Sequence, residues 1–169
     1  MSISMYQALI PNAIHALHNL IGILQKTAEH AAARKIDPDI LLTARLFPDM
    51  FPLTRQVQIA SDVAKGAAAR LAGLEPPSYD DNESTFLGLI ERVQKTIHYL
   101  ETFTPAQIDG SEEKAIMINM RSGTAHFEGQ PYLLNYVLPN LYFHITTAYA
   151  IARHNGVELG KADFLGKVF

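Results

Sequence analysis

Seven histidines are the residues in this chain best suited to metal or acid–base chemistry, and only His15 and His18 have a spacing that could turn two imidazoles toward one ion from a single helix. A mononuclear site needs a third ligand, for which His144 is the best placed by position, while His30, His98 and His154 read as surface or helix-end residues. The simpler reading of His15 and His18 is that of histidines bordering a core stripe, each with an ordinary hydrogen-bond partner. None of the seven has a carboxylate three residues before it, so the Glu-x-x-His pattern of di-iron bundles is absent. There is no glycine-rich dinucleotide fingerprint, P-loop, His-Glu-x-x-His or Gly-x-Ser-x-Gly motif. With no cysteine in the chain, disulfides, thiolate metal sites, iron–sulfur ligation and thiol nucleophiles are excluded.

A second concentration of polar chemistry is the run from Arg45 through Pro48, Asp49 and Pro52 to Arg55 and Gln58, where two prolines stiffen a turn flanked by charges. It could rim a pocket at one end of a bundle; equally, an Arg–Asp ion pair could pin the turn against a helix. His18, Arg45, Asp49, Arg55, Gln58 and His144 are the candidate pocket residues. Arg55, Gln58, Asp62 and Lys65 share one helical stripe, expected to be a solvated face.

The elements that must position these residues are helical. Apolar residues at spacings of three and four predict a first long helix over 4–34, with a bend near Pro11. Asp37 and Pro38 open a short helix through Leu46. Pro52 opens a second long helix closed by Gly73, and a third covers 83–103 with Glu91, Arg92, Lys95 and His98 outward. Two short strands, 115–120 and 124–127, flank the turn Arg121-Ser122-Gly123. A fourth long helix, 130–153, contains Pro139 and should kink there. Short connections between long helices predict an all-α, antiparallel four-helix bundle of a single domain, with the hairpin inserted between the third and fourth long helices.

Charge sharpens the picture. Fourteen basic against 17 acidic residues give −3, which argues against a nucleic-acid partner. Polar residues scattered through the uncharged first 25 residues argue against a signal peptide or membrane span, making a cytoplasmic location the default. Residues 1–25 and 129–152 carry no Lys, Arg, Asp or Glu. Helices apolar on more than one side need a second partner, so the first and fourth long helices are expected to form a homodimer interface.

The strings from Arg45 to Gln58, Gly129-Gln130-Pro131-Tyr132-Leu133-Leu134 and Phe143-His144-Ile145-Thr146-Thr147-Ala148-Tyr149-Ala150-Ile151, followed by Arg153-His154-Asn155-Gly156-Val157, resemble a family of uncharacterised bacterial proteins within the DinB/YfiT-like superfamily. The resemblance implies the four-helix bundle and a dimer. Metal-binding members of that superfamily place one His on the second helix and a His-x-x-x-His pair on the last. Here the second helix has no His, and four residues after His144 stands Ala148. Only His144 carries over, which points to a member that has lost the triad and serves as a non-catalytic or small-molecule-binding bundle with no cofactor. The alternative is a metal-dependent thiol transferase using zinc or nickel at a rearranged site of His18, His144 and Asp49 or Asp62. A purely structural or regulatory partner protein is a third reading.

Overall fold

A computed structural model describes residues 3–120 and 123–166. In chain order the elements are α1 (Met5–Arg34), α2 (Pro38–Leu42), α3 (Leu53–Ala72), α4 (Phe86–Glu101), α5 (Pro105–Ile108), β1 (Ala115–Met120), β2 (Gly123–Glu128), α6 (Gly129–Pro131), a π-helical segment (Tyr132–Val137), α7 (Leu138–His154) and α8 (Lys161–Leu165). The expected Arg121-Ser122 turn lies outside the described residues.

Both prolines inside the long helices leave a mark. Pro11 removes the N–H that would bond the Gln7 carbonyl, and the Asn12 side-chain amide supplies that donor instead at 3.1 Å, so α1 runs through as one element. Pro139 lies in the first turn of α7, and the residues before it widen into the π-helical segment, where the Leu138 N–H reaches the Leu133 carbonyl. The expected kink is thus a change of helix type upstream of the proline. The short second helix stops at Leu42 rather than Leu46 because the Thr54 hydroxyl takes the Leu42 carbonyl and the Leu53 N–H takes that of Ala44. The third long helix starts at Phe86, with Thr85 as N-cap accepting from the Gly88 N–H, because Glu83 is used elsewhere.

The four long helices pack around one core built from residues such as Leu17, Leu20, Val57, Ala64, Leu89, Val93, Leu141 and Ala148. Their directions differ from the antiparallel expectation. Tyr6 at the start of α1 donates its N–H to Asp109 beyond the end of α4, so α1 and α4 are antiparallel. Gln56 meets His144 while Arg70 meets Tyr132, so α3 and α7 are antiparallel as well. Gln58, however, meets Glu83 just ahead of α4, while Lys114, beyond the end of α4, caps the Leu71 carbonyl at the end of α3. Hence α3 and α4 run parallel, and so do α1 and α7. The cause is the 73–85 connection, whose reach of roughly 40 Å when extended exceeds the ~30 Å length of α3, so the chain returns before α4 begins.

The hairpin pairs Ala115 with Glu128 through Met120 with Gly123. Ile116 and Ile118 turn inward and Met117 outward. At its exit Gly129 lies so close to the Ser111 carbonyl oxygen that any Cβ would overlap it. A second small core of Ile23, Ala152, Val157 and Leu159 anchors the C-terminal strap, whose α8 packs along α1. The strap covers part of the uncharged surface of α1 and α7.

Candidate functional site

On the side of α3 that faces α7, one imidazole is buried. His144 Nδ1 lies 2.7 Å from Gln56 Oε1, and the same Gln56 side chain donates through Nε2 to the Phe51 carbonyl at 2.9 Å. Since that amide oxygen can only accept, Nδ1 carries the proton and donates. Burial, and behind it the Arg55 cation, push the His144 pKa below the usual histidine value, so the ring is neutral at pH 7. The donor set is one imidazole, two glutamine side chains and a guanidinium. That set does not fit a divalent ion, because Arg55 repels a cation and an amide oxygen is a weak ligand for zinc or nickel. Among the described residues no group of three or more His, Asp or Glu side chains is arranged so that it could hold a metal ion.

The other sequence candidates go elsewhere. His18 is exposed on α1 rather than bordering the core, and no hydrogen bond or ion pair joins it to His144 among the described residues. Its i,i+3 neighbour His15 turns to the strap, with Nε2 2.6 Å from the Leu165 carbonyl oxygen. Arg45 stiffens the proline turn from within by donating to the Pro48 and Met50 carbonyls at 3.3 and 3.1 Å, and among the described residues no Arg45–Asp49 ion pair pins the turn against a helix. Asp49 stays exposed. Arg55 and Gln58 do meet: Arg55 donates to Gln58 Oε1 at 3.2 Å and pairs with Asp81.

From Gln58 the polar chain continues into a network that sequence reasoning placed in solvent. Gln58 Nε2 donates to Glu83 at 2.8 Å, Glu83 accepts from Arg92 at 2.9 Å, and Arg92 also reaches Asp62 at 2.8 Å, Asp81 at 3.0 Å and the Asp80 carbonyl at 3.0 Å. Lys65 adds a second cation on Asp62 at 2.8 Å. The Arg92 side chain is only 2% exposed. Burial alone would lower its pKa, but the hydrogen bond it donates to Glu83 and the charges of Asp62, Glu83 and Asp81 outweigh that and raise it. Burial would likewise raise the Glu83 carboxyl, yet its bonds to Arg92 and Gln58 hold it below the ordinary carboxylate value. The Tyr79 ring lies beneath three cations, with Lys95 Nζ 4.1 Å, Lys65 Nζ 4.7 Å and the Arg92 guanidinium carbon 5.4 Å from its centroid.

The solvated face expected for Arg55, Gln58, Asp62 and Lys65 is therefore a covered seam, because the returning 73–85 connection lies along it. The sequence signal was present in the acidic run Asp80-Asp81-Asn82-Glu83, which faces a basic set on two helices. Beside the seam opens a cleft of about 430 Å³ lined by Tyr79, Asn82, Ser84, Thr85, Arg92 and Lys95 among others. A second cleft, of about 370 Å³, lies between charged residues of α1 and the Gly156–Glu158 turn. The clefts that stand out among the described residues are lined by neither the 45–58 turn nor Pro139.

Three comparisons place this geometry among known proteins. A search of curated proteins finds no match. Among solved structures the chain is similar to the crystal structure of a DinB family member protein from Shewanella denitrificans, with 41% identity and a TM-score of 0.88 over 96% of this chain and 92% of that one. A family model described as a domain of unknown function, DUF1993, matches residues 5–165. The helices, the inserted hairpin and the returning connection lie within that span, and the chain belongs to the DUF1993 family.

Proposed function

We propose that the protein is a non-catalytic binding bundle whose ligand site is the cleft beside Arg92, in place of the site expected at the Arg45–Gln58 turn. The observation that carries this reading is the Arg92 network. Three carboxylates and a backbone carbonyl converge on one buried guanidinium, fixing the 80–83 segment as a rigid wall of a cleft within the range of small-molecule sites, ~300–1,000 Å³. The lining sets the cations of Lys95 and Arg92 beside the carboxylates of Asp80, Glu83 and Glu91, with hydroxyls at Ser84 and Thr85 and an amide at Asn82, which suits a small polar ligand that pairs an acidic group with a cationic or hydrogen-bond-donating one.

A thermal-shift screen of small polar carboxylates and phosphate esters tests it, repeated on Lys95→Ala and Asn82→Ala. Hits that weaken about tenfold in both variants support the site. Hits that bind the variants as well as the wild type, or no hits at all, overturn it.

We further infer a cytoplasmic homodimer formed by the uncharged surfaces of α1, the π-helical segment and α7. Leu134, Tyr142 and Phe143 stay exposed there beside the strap, at 47%, 39% and 54%. A monomer by light scattering at micromolar concentration overturns the dimer; dissociation in Phe143→Glu supports it. Of the ligands expected by the metal-dependent transferase reading, His144 lies between α3 and α7, Asp62 is held by Lys65 and Arg92 on the α4 side, and His18 and Asp49 are exposed. Elemental analysis after dialysis against zinc and nickel revives it only if near-stoichiometric metal is retained and then lost in His144→Ala.

A further inference from the structure

On the hairpin side of α3, away from the Tyr79 cleft, Arg70 has an unusual posture. It stands in the last turn of α3, where a cation is favoured by the helix carbonyls, yet its guanidinium folds back along the helix. Its Nη1 lies 2.5 Å from where a Cβ on Gly66 would sit. Gly66 is a buried glycine in a helix interior, a position where glycine costs helix propensity relative to alanine, and here the missing Cβ is the space the guanidinium fills. Among the described residues Arg70 has no carboxylate partner. Its Nη1 donates to the Tyr132 hydroxyl at 3.3 Å.

Tyr132 and Tyr136 belong to the π-helical segment, and their rings stack at 5.9 Å and 20°, with Phe127 of β2 against both. The Tyr132 hydroxyl accepts from Arg70 and makes no other hydrogen bond among the described residues, so its own proton is free to donate. Burial raises the Tyr132 pKa, more than Arg70 lowers it, which keeps that proton in place. Val63, Ile118 and Asp62 complete the walls of a cleft of about 150 Å³. Asp62 is the one anion there, and its charge is already met by Lys65 and Arg92 at 2.8 Å each.

We propose that Arg70, Tyr132 and Tyr136, at the junction of α3, β1 and the π-helical segment, form a binding site for a small oxyanion, the carboxylate or phosphate group of a ligand. A guanidinium freed from carboxylates supplies a charged fork, the Tyr132 phenol supplies a hydroxyl donor beside it, and apolar Val63 and Ile118 limit competition from water. The volume suits a head group rather than a whole metabolite. π-Helical turns recur at functional sites because they aim side chains that an α-helix would not. The Tyr79 cleft is lined by none of Arg70, Tyr132 or Tyr136, so the two sites stand or fall separately.

The test follows backbone amides of Ile118 and residues 132–137 by heteronuclear NMR while sodium acetate or inorganic phosphate is titrated at constant ionic strength. Saturable shifts with Kd of order 1–10 mM are expected for at least one probe, and which one binds assigns the class. Gly66→Ala is the decisive variant, since its Cβ displaces the guanidinium while favouring the helix. Its thermal midpoint should be no lower than wild type while affinity falls about tenfold, as it should in Arg70→Gln. Tyr132→Phe keeps the ring packing and should weaken binding severalfold. No saturation by either probe, or undiminished affinity in a folded Gly66→Ala, overturns the site.

Discussion

The helix α3 buries polar groups on two sides, and it does so in opposite ways. Toward α7 it holds His144 as a neutral ring against an uncharged amide; toward α4 its Asp62 joins Asp81 and Glu83 of the returning connection around Arg92. Both titrating groups lose water, but the His144 pKa is pushed away from the charged state while that of Arg92 is pushed further into it. Burial expels a charge where the neighbours carry none of opposite sign, and retains it where they do. This contrast also explains why the metal triad implied by the superfamily finds no footing here. An ion site needs anionic or neutral donors turned inward, and the α7 side offers amides and a cation, whereas Asp62, Asp81 and Glu83 are committed to Arg92, Lys65 and Arg55 on the α4 side.

The largest effect is expected where a charge is retained. Arg92→Met leaves Asp62, Asp81 and Glu83 facing one another without their common cation, and removal of one partner of a buried ion network costs ~3–5 kcal/mol. Asp62 and Asp81 are 36% and 41% exposed, so solvent screens part of the loss and about 3 kcal/mol is the expected value by urea denaturation. The same variant should raise hydrogen exchange across residues 79–85, since the carbonyl of Asp80 and the carboxylates of Asp81 and Glu83 are tied down by this side chain. A loss below about 1 kcal/mol would mean that the returning connection is held by packing alone.

A smaller effect belongs to the neutral pair. Gln56→Leu keeps roughly the same volume and strands the His144 Nδ1–H, a cost of ~1–3 kcal/mol for one unsatisfied buried donor. If Gln56→Leu proved as damaging as Arg92→Met, the two sides of α3 would not differ in kind.

These two sites also show what the sequence could and could not reveal. The four long helices, the strands and the family strings were legible because periodicity, proline, glycine and cap residues act locally. His144 was legible as the one residue matching a motif position. The parallel order of α3 and α4 was not, because residues 73–85 look like an ordinary connection and only their reach relative to the 20-residue α3 reveals the return. Arg92 was missed for the same reason: the helical wheel places it outward, and it is the returning segment, not another helix, that covers it. His18 failed in the other direction, bordering the apolar stripe in projection yet exposed on the surface of α1.

Acid titration separates the two sides in order. His144 has a folded pKa below its ordinary 6.5, so between those values the unfolded chain binds more protons, and stability is lost as pH falls from 6.5 through the folded value. Glu83, also depressed, contributes stability that is present above its ordinary 4.5 and disappears as pH falls through its own folded value. Denaturation midpoints measured from pH 8 to pH 3 should therefore fall in two steps, and His144→Asn should erase the first and leave the second. A single step below 4.5 in the wild-type protein would show that His144 accepts a proton without penalty.

The exposed strap supplies the limiting case in which water does most of the solvation. Lys26 and Asp163 pair at 2.6 Å, but their side chains are 48% and 23% exposed, and an ion pair so open to solvent contributes ~0–1 kcal/mol. Asp163 also accepts the Gly160 N–H, an interaction that asparagine preserves. Asp163→Asn thus removes the charge while keeping the local cap, and its cost should stay under about 1 kcal/mol and shrink further at 1 M salt, where the screening length is ~3 Å. A charge pair open to water, a partly screened network around a buried guanidinium, and a buried neutral pair then form one graded series. A cost for Asp163→Asn that matched Arg92→Met and ignored salt would break that series, because it would mean that burial does not set the value of these charges.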